Sequence, residues 1–150
     1  MRISPVLLRI FQGLVVLRAF YAVLLCSGTL VFRFGFGNYI AIEESLGQVL
    51  LGIPLWYYGI WAGFVVLYVL AALFLVLRFR LALMCYILAF ATDFILSLYW
   101  FQQPAMDRAY YGSANLVEWT LNAIDLGVIS LMLLAGHWVF RRPPADRTIG

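Results

Sequence analysis

The chain has 150 residues, of which 65% are hydrophobic and 11% are charged, and its mean hydropathy is +0.97. A soluble domain is typically about 45–50% apolar and about 25% charged. This composition excludes a disordered chain, a nucleic-acid-binding domain, a disulfide scaffold and an ordinary water-soluble enzyme. The chain is therefore predicted to be an integral membrane protein. Its 10 basic residues are all arginine.

Two long apolar segments occupy the first half of the chain. The first is predicted over residues 5–32, because Ser4 suits the N-cap of a helix and Pro5 suits its first position. The second is predicted over residues 54–77; it carries no charge, and Pro54 suits its first turn. A helix needs about 20 apolar residues to cross the hydrocarbon core of a bilayer, so both segments are long enough.

Two further apolar segments follow, over residues 81–101 and 116–140, and the earlier of them carries the single charge of Asp93. No strand pattern is present. The sequence therefore predicts an all-α protein with one transmembrane domain over residues 1–150. It would be a four-helix bundle in antiparallel up-down order, followed by a C-terminal tail over residues 141–150.

The distribution of arginine predicts the orientation of the bundle. Most arginines lie at the N-terminus, between the second and third segments, or at the C-terminus, and four spans place these three regions on one side of the membrane. The positive-inside rule assigns that side to the cytoplasm, so both termini are predicted to be cytoplasmic. The short Arg78-Phe79-Arg80 turn predicts that the second and third segments are antiparallel neighbours.

The loop after the first segment has a helical pattern of its own. Apolar Ile42, Leu46, Val49 and Leu50 follow i, i+4, i+7, i+8 spacing, and polar residues or glycine occupy the opposite side. This pattern is typical of a short helix on the membrane surface. An ordinary loop fits such a short stretch equally well.

Ionisable residues inside a span are the first place to look for function. Measured from the cytoplasmic arginines, Arg18, Asp93 and Asp125 lie about 13, 20 and 24 Å deep, at 1.5 Å per residue. A charge at the helix centre costs about 2.5–3.5 kcal/mol, which pairing would reduce. We predict an ion pair between Arg18 and Asp93. Asp125, with Asn122 one turn outward, either completes the cluster or stays protonated. The cluster either fixes helix packing only, or forms the polar end of a ligand or transport site.

Glu118 shares one face of the fourth segment with Asn122 and Asp125, at i, i+4, i+7 spacing. This face could line a water-filled cavity that is open to the outside. Glu118 also has a second interpretation, since Asn115 and Glu118 match the spacing of a capping box with Asn115 as the N-cap. We favour the cap for Glu118 and keep Asn122 and Asp125 as candidate site residues.

An aromatic stripe runs along the second segment. Tyr57, Trp61, Phe64 and Tyr68 follow i, i+4, i+7, i+11 spacing and could form the wall of a pocket for a flat apolar ligand. Packing in the core or against lipid is the simpler interpretation of such a stripe.

Catalytic and cofactor motifs are missing from the sequence. It has no zinc or phosphate-loop motif, and no nucleophile–base pair is visible. Cys26 and Cys85 do not form a CxxC pair, and the single histidine, His137, cannot supply bis-histidine haem ligation. We therefore predict no catalytic residue, no metal and no cofactor.

The central hairpin resembles that of a known group of proteins. Pro54-Leu55-Trp56 is followed by an apolar span and then by Leu75-Val76-Leu77-Arg78-Phe79-Arg80-Leu81-Ala82. This arrangement, over residues 54–90, is similar to small bacterial four-span inner-membrane proteins that are often labelled sugar transporters. In them, a Pro-x-Trp opens the second helix and an arginine-rich turn leads into the third. The resemblance implies the four-helix architecture and an inner-membrane location, and it implies no site.

Three functions remain open from the sequence. The first, which we favour, is a non-catalytic accessory, assembly or lipid-contacting component, with membrane lipids and a protein partner or second copy as partners. The second is a small transporter or binding protein for an apolar or weakly polar solute, using the polar cluster and the aromatic stripe. The third is a membrane enzyme with Asp93 or Asp125 as general acid or base. A cavity open to water at the cluster would favour the second, and a closed, mutually paired cluster the first.

Overall fold

The computed structural model describes residues 4–36, 44–102 and 113–140, and these residues form helices and short connections without any strand. The helices are α1 (Pro5–Val31), α2 (Glu44–Gly52), α3 (Leu55–Val76), α4 (Leu81–Phe101), α5 (Ser113–Leu134) and α6 (Gly136–Val139). Within these ranges, 4 helices are long and apolar enough to cross a membrane: α1, α3, α4 and α5. The prediction of an all-helical protein with four helices long and apolar enough to span a membrane is confirmed. The predicted C-terminal tail lies outside the described residues.

The first helix begins as its sequence predicts. The side-chain oxygen of Ser4 accepts a hydrogen bond from the backbone N–H of Leu7 at 3.1 Å, and Pro5 is the first helical residue. At its other end, α1 runs into a wider turn over Phe32–Phe36, in which Gly35 has a φ of 91°. This left-handed conformation is available to glycine at little cost, and it redirects the chain out of the helix.

The connection between α3 and α4 is as short as predicted. Arg78 adopts a φ of 59°, and the amide of Phe79 donates to the carbonyl of Phe74 at 2.8 Å. The rings of Phe74 and Phe79 meet edge to face at 6.2 Å. The left-handed conformation of a non-glycine residue costs about 1–2 kcal/mol, and the turn hydrogen bonds and ring contact offset it.

Small residues bring α3 and α4 together in the half of the bundle next to this turn. Ala71, Ala82 and Ala89 have no exposed surface, and neither does Leu75. Alanine allows helix backbones to approach closely inside a membrane, where van der Waals packing drives association. The side chain of Gln12 donates to the carbonyl of Leu75 at 3.2 Å and so attaches α1 to the same end of α3.

The short helix predicted after α1 is present as α2, although Ile42 of the predicted pattern lies outside the described residues. Its Leu50 is buried, with 2% of its surface exposed. The carbonyl of Leu50 accepts a hydrogen bond from the hydroxyl of Tyr58 at 2.6 Å. This helix therefore packs onto the bundle and covers the end opposite to the α3–α4 turn.

Gly47 provides a test of how closely α2 packs against the ring of Phe32. A Cβ atom at Gly47 would lie 2.9 Å from Cζ of Phe32, whereas one at Gly52 would meet nothing within 4 Å. We expect Gly47→Ala to loosen α2, because either the Phe32 ring or the helix must shift. Gly52→Ala, in the same helix, should have no such effect. Hydrogen exchange of the α2 amides measures the difference, and equal exchange in both variants would contradict this packing.

The fourth predicted segment differs from the structure at both ends. It is predicted to run without interruption over residues 116–140, whereas α5 begins at Ser113 and ends at Leu134. Ala135 then leaves helical geometry, with φ −106° and ψ 9°, before the single turn of α6. Gly136 follows this break directly, and glycine has low helix propensity. The apolar pattern therefore continues past residue 134, whereas the helix ends there. The side chain of His137 lies outside the described residues.

Candidate functional site

The centre of the bundle is organised around Asp125, which has no exposed surface. Nε of Arg18 lies 3.2 Å from Oδ1 and 3.1 Å from Oδ2 of Asp125, and Nη2 of Arg18 lies 3.0 Å from Oδ2. This is the two-pronged arrangement in which a guanidinium binds a carboxylate most strongly. It joins α1 to α5 near the middle of both spans.

Two tyrosines complete the surroundings of Asp125. The hydroxyl of Tyr68 donates to Oδ2 at 2.9 Å, and the hydroxyl of Tyr86 donates to Oδ1 at 2.5 Å. The guanidinium carbon of Arg18 also lies 4.5 Å from the centre of the Tyr68 ring, which is a favourable cation–π contact. Arg18, Tyr68, Tyr86 and Asp125, which we call the Asp125 network, come from α1, α3, α4 and α5. One buried carboxylate therefore connects all four long helices.

The predicted ion pair between Arg18 and Asp93 is present. Nη2 of Arg18 lies 2.8 Å from Oδ2 of Asp93, whose side chain retains 22% of its surface. The prediction from the sequence has Asp93 as the main partner of Arg18 and Asp125 as an addition. The structure reverses that order, because Asp125 makes more hydrogen bonds to Arg18 and is fully enclosed.

A cavity of about 180 Å³ lies beside the Asp125 network, on the side covered by α2, and it is partly open. Its floor is polar and includes Arg18, Asp93 and Asn122. Its walls are mainly aromatic and aliphatic, as is common for small-molecule sites. The other lining residues are Tyr21, Ala22, Leu25, Thr29, Leu46, Leu50, Tyr57, Trp61, Phe64, Leu96, Ser97, Trp100, Glu118 and Leu121.

Of the predicted aromatic wall, Tyr57, Trp61 and Phe64 line this cavity. Tyr68 does not, and its assignment to the wall is wrong. Its ring is fully buried and its hydroxyl is engaged with Arg18 and Asp125. A phenol hydroxyl inside a membrane needs a partner, and the nearest carboxylate supplies one.

Trp100 is a wall residue that was not predicted from the sequence. Its ring stacks on that of Tyr57, with centroids 6.0 Å apart and an interplanar angle of 30°. A signal is present in the sequence, since Asp93, Ser97 and Trp100 follow i, i+4, i+7 spacing on α4 and all three line the cavity.

The three polar residues predicted to share one face of α5 do not all line the cavity. Glu118 and Asn122 line the cavity, whereas Asp125 lies behind them within its network. The capping interpretation of Glu118 is wrong, because α5 begins at Ser113 and Asn115 is already inside the helix. Glu118 instead accepts a hydrogen bond from the hydroxyl of Ser97 at 2.6 Å, and this bond joins α4 to α5.

The Ser97–Glu118 hydrogen bond is expected to contribute to the packing of α5 on α4. Ser97→Ala should lower the free energy of unfolding by about 1–2 kcal/mol, because a charge-assisted hydrogen bond is lost. Thr92→Ala is the matched control, since among the residues that the structure describes the hydroxyl of Thr92 bonds only to the Leu88 carbonyl of its own helix. Unfolding in mixed detergent micelles measures both variants, and equal destabilisation would contradict a role in joining the helices.

Other chemistry is sparse in the part of the chain that the structure describes. There, no group of three or more histidine, cysteine, aspartate or glutamate side chains could hold a metal ion. Cys26 and Cys85 are free thiols. The arrangement at the cavity floor is suited to hydrogen bonding and ion pairing. Comparisons of the chain with protein-family models, with curated proteins and with solved structures give no match.

Proposed function

We propose that this protein is a membrane-embedded binding protein, or small transporter, for an apolar or weakly polar solute. The observation that carries the proposal is the cavity between the long helices, where a polar floor of Arg18, Asp93 and Asn122 meets aromatic walls. A few converging polar groups within a mostly apolar pocket are the usual form of a small-molecule site. An open cavity at the polar cluster is expected of a binding protein or transporter, and a closed cluster is expected of an accessory component. The partly open cavity favours the binding protein or transporter.

The size of the cavity suits a small solute. At about 180 Å³, it exceeds the roughly 150 Å³ of an engineered apolar cavity in another protein that takes up benzene. An apolar body would lie against Tyr57, Trp61 and Phe64, and a polar end would reach the floor. The proposed role is non-catalytic. Of the two carboxylates considered as a general base, Asp125 is enclosed and already accepts hydrogen bonds from three side chains. The other, Asp93, is held in an ion pair with Arg18.

The proposed topology is antiparallel and up-down, with both termini in the cytoplasm. Contacts between α3 and α4 support it, since Tyr57 meets Trp100, Tyr68 meets Tyr86 and Phe74 meets Phe79. Residue numbers rise along α3 while those of the contacted residues in α4 and its turn fall, as is typical of antiparallel helices. Arg78 and Arg80 at the turn favour its cytoplasmic location, and the cavity, which lies on the α2 side of the Asp125 network, is then in the outer half of the bundle. The resemblance of residues 54–90 to bacterial four-span proteins supports a bacterial inner membrane.

Binding of toluene to the protein in lipid nanodiscs tests the proposal. Saturation-transfer NMR detects the bound probe, and empty nanodiscs provide the background from partition into lipid. Asn122→Phe places a large side chain in the cavity and should abolish the protein-specific signal. Ser130→Phe is the matched control, because Ser130 is exposed on the same helix and does not line the cavity. Equal signals from the two variants would contradict binding in this cavity.

The closed Asp125 network favours a second candidate, the accessory component. A network that fastens four helices serves packing whether or not the cavity is used. Purification in mild detergent followed by native mass spectrometry separates the two candidates. A stable protein partner, together with absence of toluene binding, would support the accessory role and overturn the binding role.

A further inference from the structure

The guanidinium of Arg18 has one nitrogen that its neighbours do not use. Arg18 is 8% exposed, and its hydrogen bonds to described residues are made by Nε and Nη2. Nη1 forms none with any residue in those ranges. The only fully enclosed side-chain nitrogen or oxygen without a partner there is Nε of Arg33, so Nη1 keeps some exposed surface. Because Arg18 lines the cavity, this donor is available to a ligand.

Asp93 offers the matching acceptor. Its Oδ2 is bound by Arg18, whereas Oδ1 makes no hydrogen bond with the described part of the chain. Asp93 also lines the cavity and keeps part of its surface. Since Nη2 of Arg18 lies 2.8 Å from Oδ2, the free donor and the free acceptor belong to one tightly held pair. The floor of the cavity therefore presents a donor and an acceptor close together.

Charge limits what can bind to this pair. An anionic head group would satisfy Nη1 but would also face the carboxylates of Asp93 and Glu118, both of which line the cavity. A cationic head group would satisfy Oδ1 but would lie against the guanidinium of Arg18. In a low-dielectric site each of these like-charge contacts is costly. A neutral hydroxyl has neither conflict, and it accepts one hydrogen bond while donating another.

We propose that the ligand of this cavity is a neutral alcohol, whose hydroxyl accepts a hydrogen bond from Nη1 of Arg18 and donates one to Oδ1 of Asp93. The apolar body of the alcohol packs against Tyr57 and Trp61. This inference rests on the proposed binding function and specifies the class of its ligand. Asn122, which lines the same floor and makes no hydrogen bond with the described residues, lies beside the hydroxyl site.

Probes that share a phenyl ring with one attached carbon and differ in the group at that carbon test this assignment. They are benzyl alcohol, benzaldehyde, benzylammonium, benzoate and toluene. Titration of each probe into protein in nanodiscs, followed by saturation-transfer NMR and corrected with empty nanodiscs, gives its protein-specific affinity. Benzyl alcohol should bind about tenfold more tightly than toluene or benzaldehyde, because each of these lacks at least one of the two hydrogen bonds. The two ions should bind more weakly still.

Asp93→Asn provides the sharper comparison. The amide oxygen of the new side chain would accept the hydrogen bond from Nη2 of Arg18, and its NH₂ group would take the place of Oδ1. The pair of side chains at positions 18 and 93 would then offer two donors and no acceptor to the hydroxyl, so the preference for benzyl alcohol over benzaldehyde should fall about tenfold. Thermal unfolding of the variant checks that it is folded. The wild-type ranking of the probes tests the proposal even if this variant fails to fold.

The outcomes distinguish the ligand class from the binding function. If benzyl alcohol binds no better than toluene, or if either ion binds most tightly, the alcohol assignment is overturned while the binding function stands. If no probe gives a signal that Asn122→Phe removes, both are overturned. An unchanged preference for benzyl alcohol in a folded Asp93→Asn variant would also overturn the assignment, because Oδ1 would then have no part in it.

Discussion

Replacement of Asp125 with alanine is expected to lower the free energy of unfolding by about 3–5 kcal/mol. The change removes the buried partner of Arg18 and leaves a largely enclosed guanidinium with Asp93 alone, and breaking one side of a buried ion pair typically costs this much. It also removes the acceptor of the Tyr68 and Tyr86 hydroxyls. Unfolding in mixed detergent micelles, followed by circular dichroism, measures the loss.

Ser130→Ala is the matched control for this experiment, since Ser130 lies on α5 and is exposed. It should change the free energy of unfolding by less than about 0.5 kcal/mol, as surface substitutions usually do. A loss below about 1 kcal/mol for Asp125→Ala would mean that the Asp125 network contributes little to stability.

Replacement of Arg18 with methionine is expected to be at least as damaging. It leaves the carboxylates of Asp93 and Asp125 without their shared cation, and an unpaired charge inside a membrane is more costly than a paired one. We expect a loss of about 3–5 kcal/mol, or a protein that does not accumulate in the membrane.

A second substitution should restore part of this loss. The double variant Arg18→Met/Asp125→Leu removes both members of the more buried ion pair and puts apolar side chains in their place. Replacing a buried pair with apolar residues is often neutral, whereas removing one member is not. The double variant should therefore be more stable than Arg18→Met alone. If it is less stable, the apolar replacements pack poorly, and packing outweighs the unpaired charge at this site.

The sequence is sufficient to predict the spans and one ion pair of the site. Depth follows directly from the rise of 1.5 Å per residue, so the sequence alone is enough to match Arg18 with Asp93. Depth does not determine how each helix is rotated about its own axis. For that reason the sequence does not reveal that Asp125, rather than Asp93, makes most of the hydrogen bonds to Arg18.

The tyrosines illustrate a second limit of prediction from sequence. Hydropathy and spacing group Tyr68 with the aromatic wall, because its ring is apolar and lies on the stripe. Its hydroxyl determines its position instead, by bonding to Asp125. No spacing pattern in the sequence marks Tyr86. A hydroxyl inside a span nevertheless needs a partner, and this requirement pairs Tyr86 with the nearby carboxylate of Asp125. The prediction that Asn115 caps the helix is wrong because the local sequence is compatible with several helix starts. Tertiary contacts determine which of these starts is used.

The two ends of the bundle are built differently. Next to the α3–α4 turn, the side chains of Ala71, Leu75 and Ala82 are fully buried. Toward the other end, the cavity lies between the long helices and is lined by residues of α2. A ligand held at Arg18, as proposed, would therefore have closely packed side chains on the side of the α3–α4 turn and the partly open cavity on the side of α2. Release at the opposite face would require α3 and α4 to separate beside these fully buried side chains. Under the proposed binding function, movement of the ligand across the membrane would therefore require a second conformation in which the packed end opens.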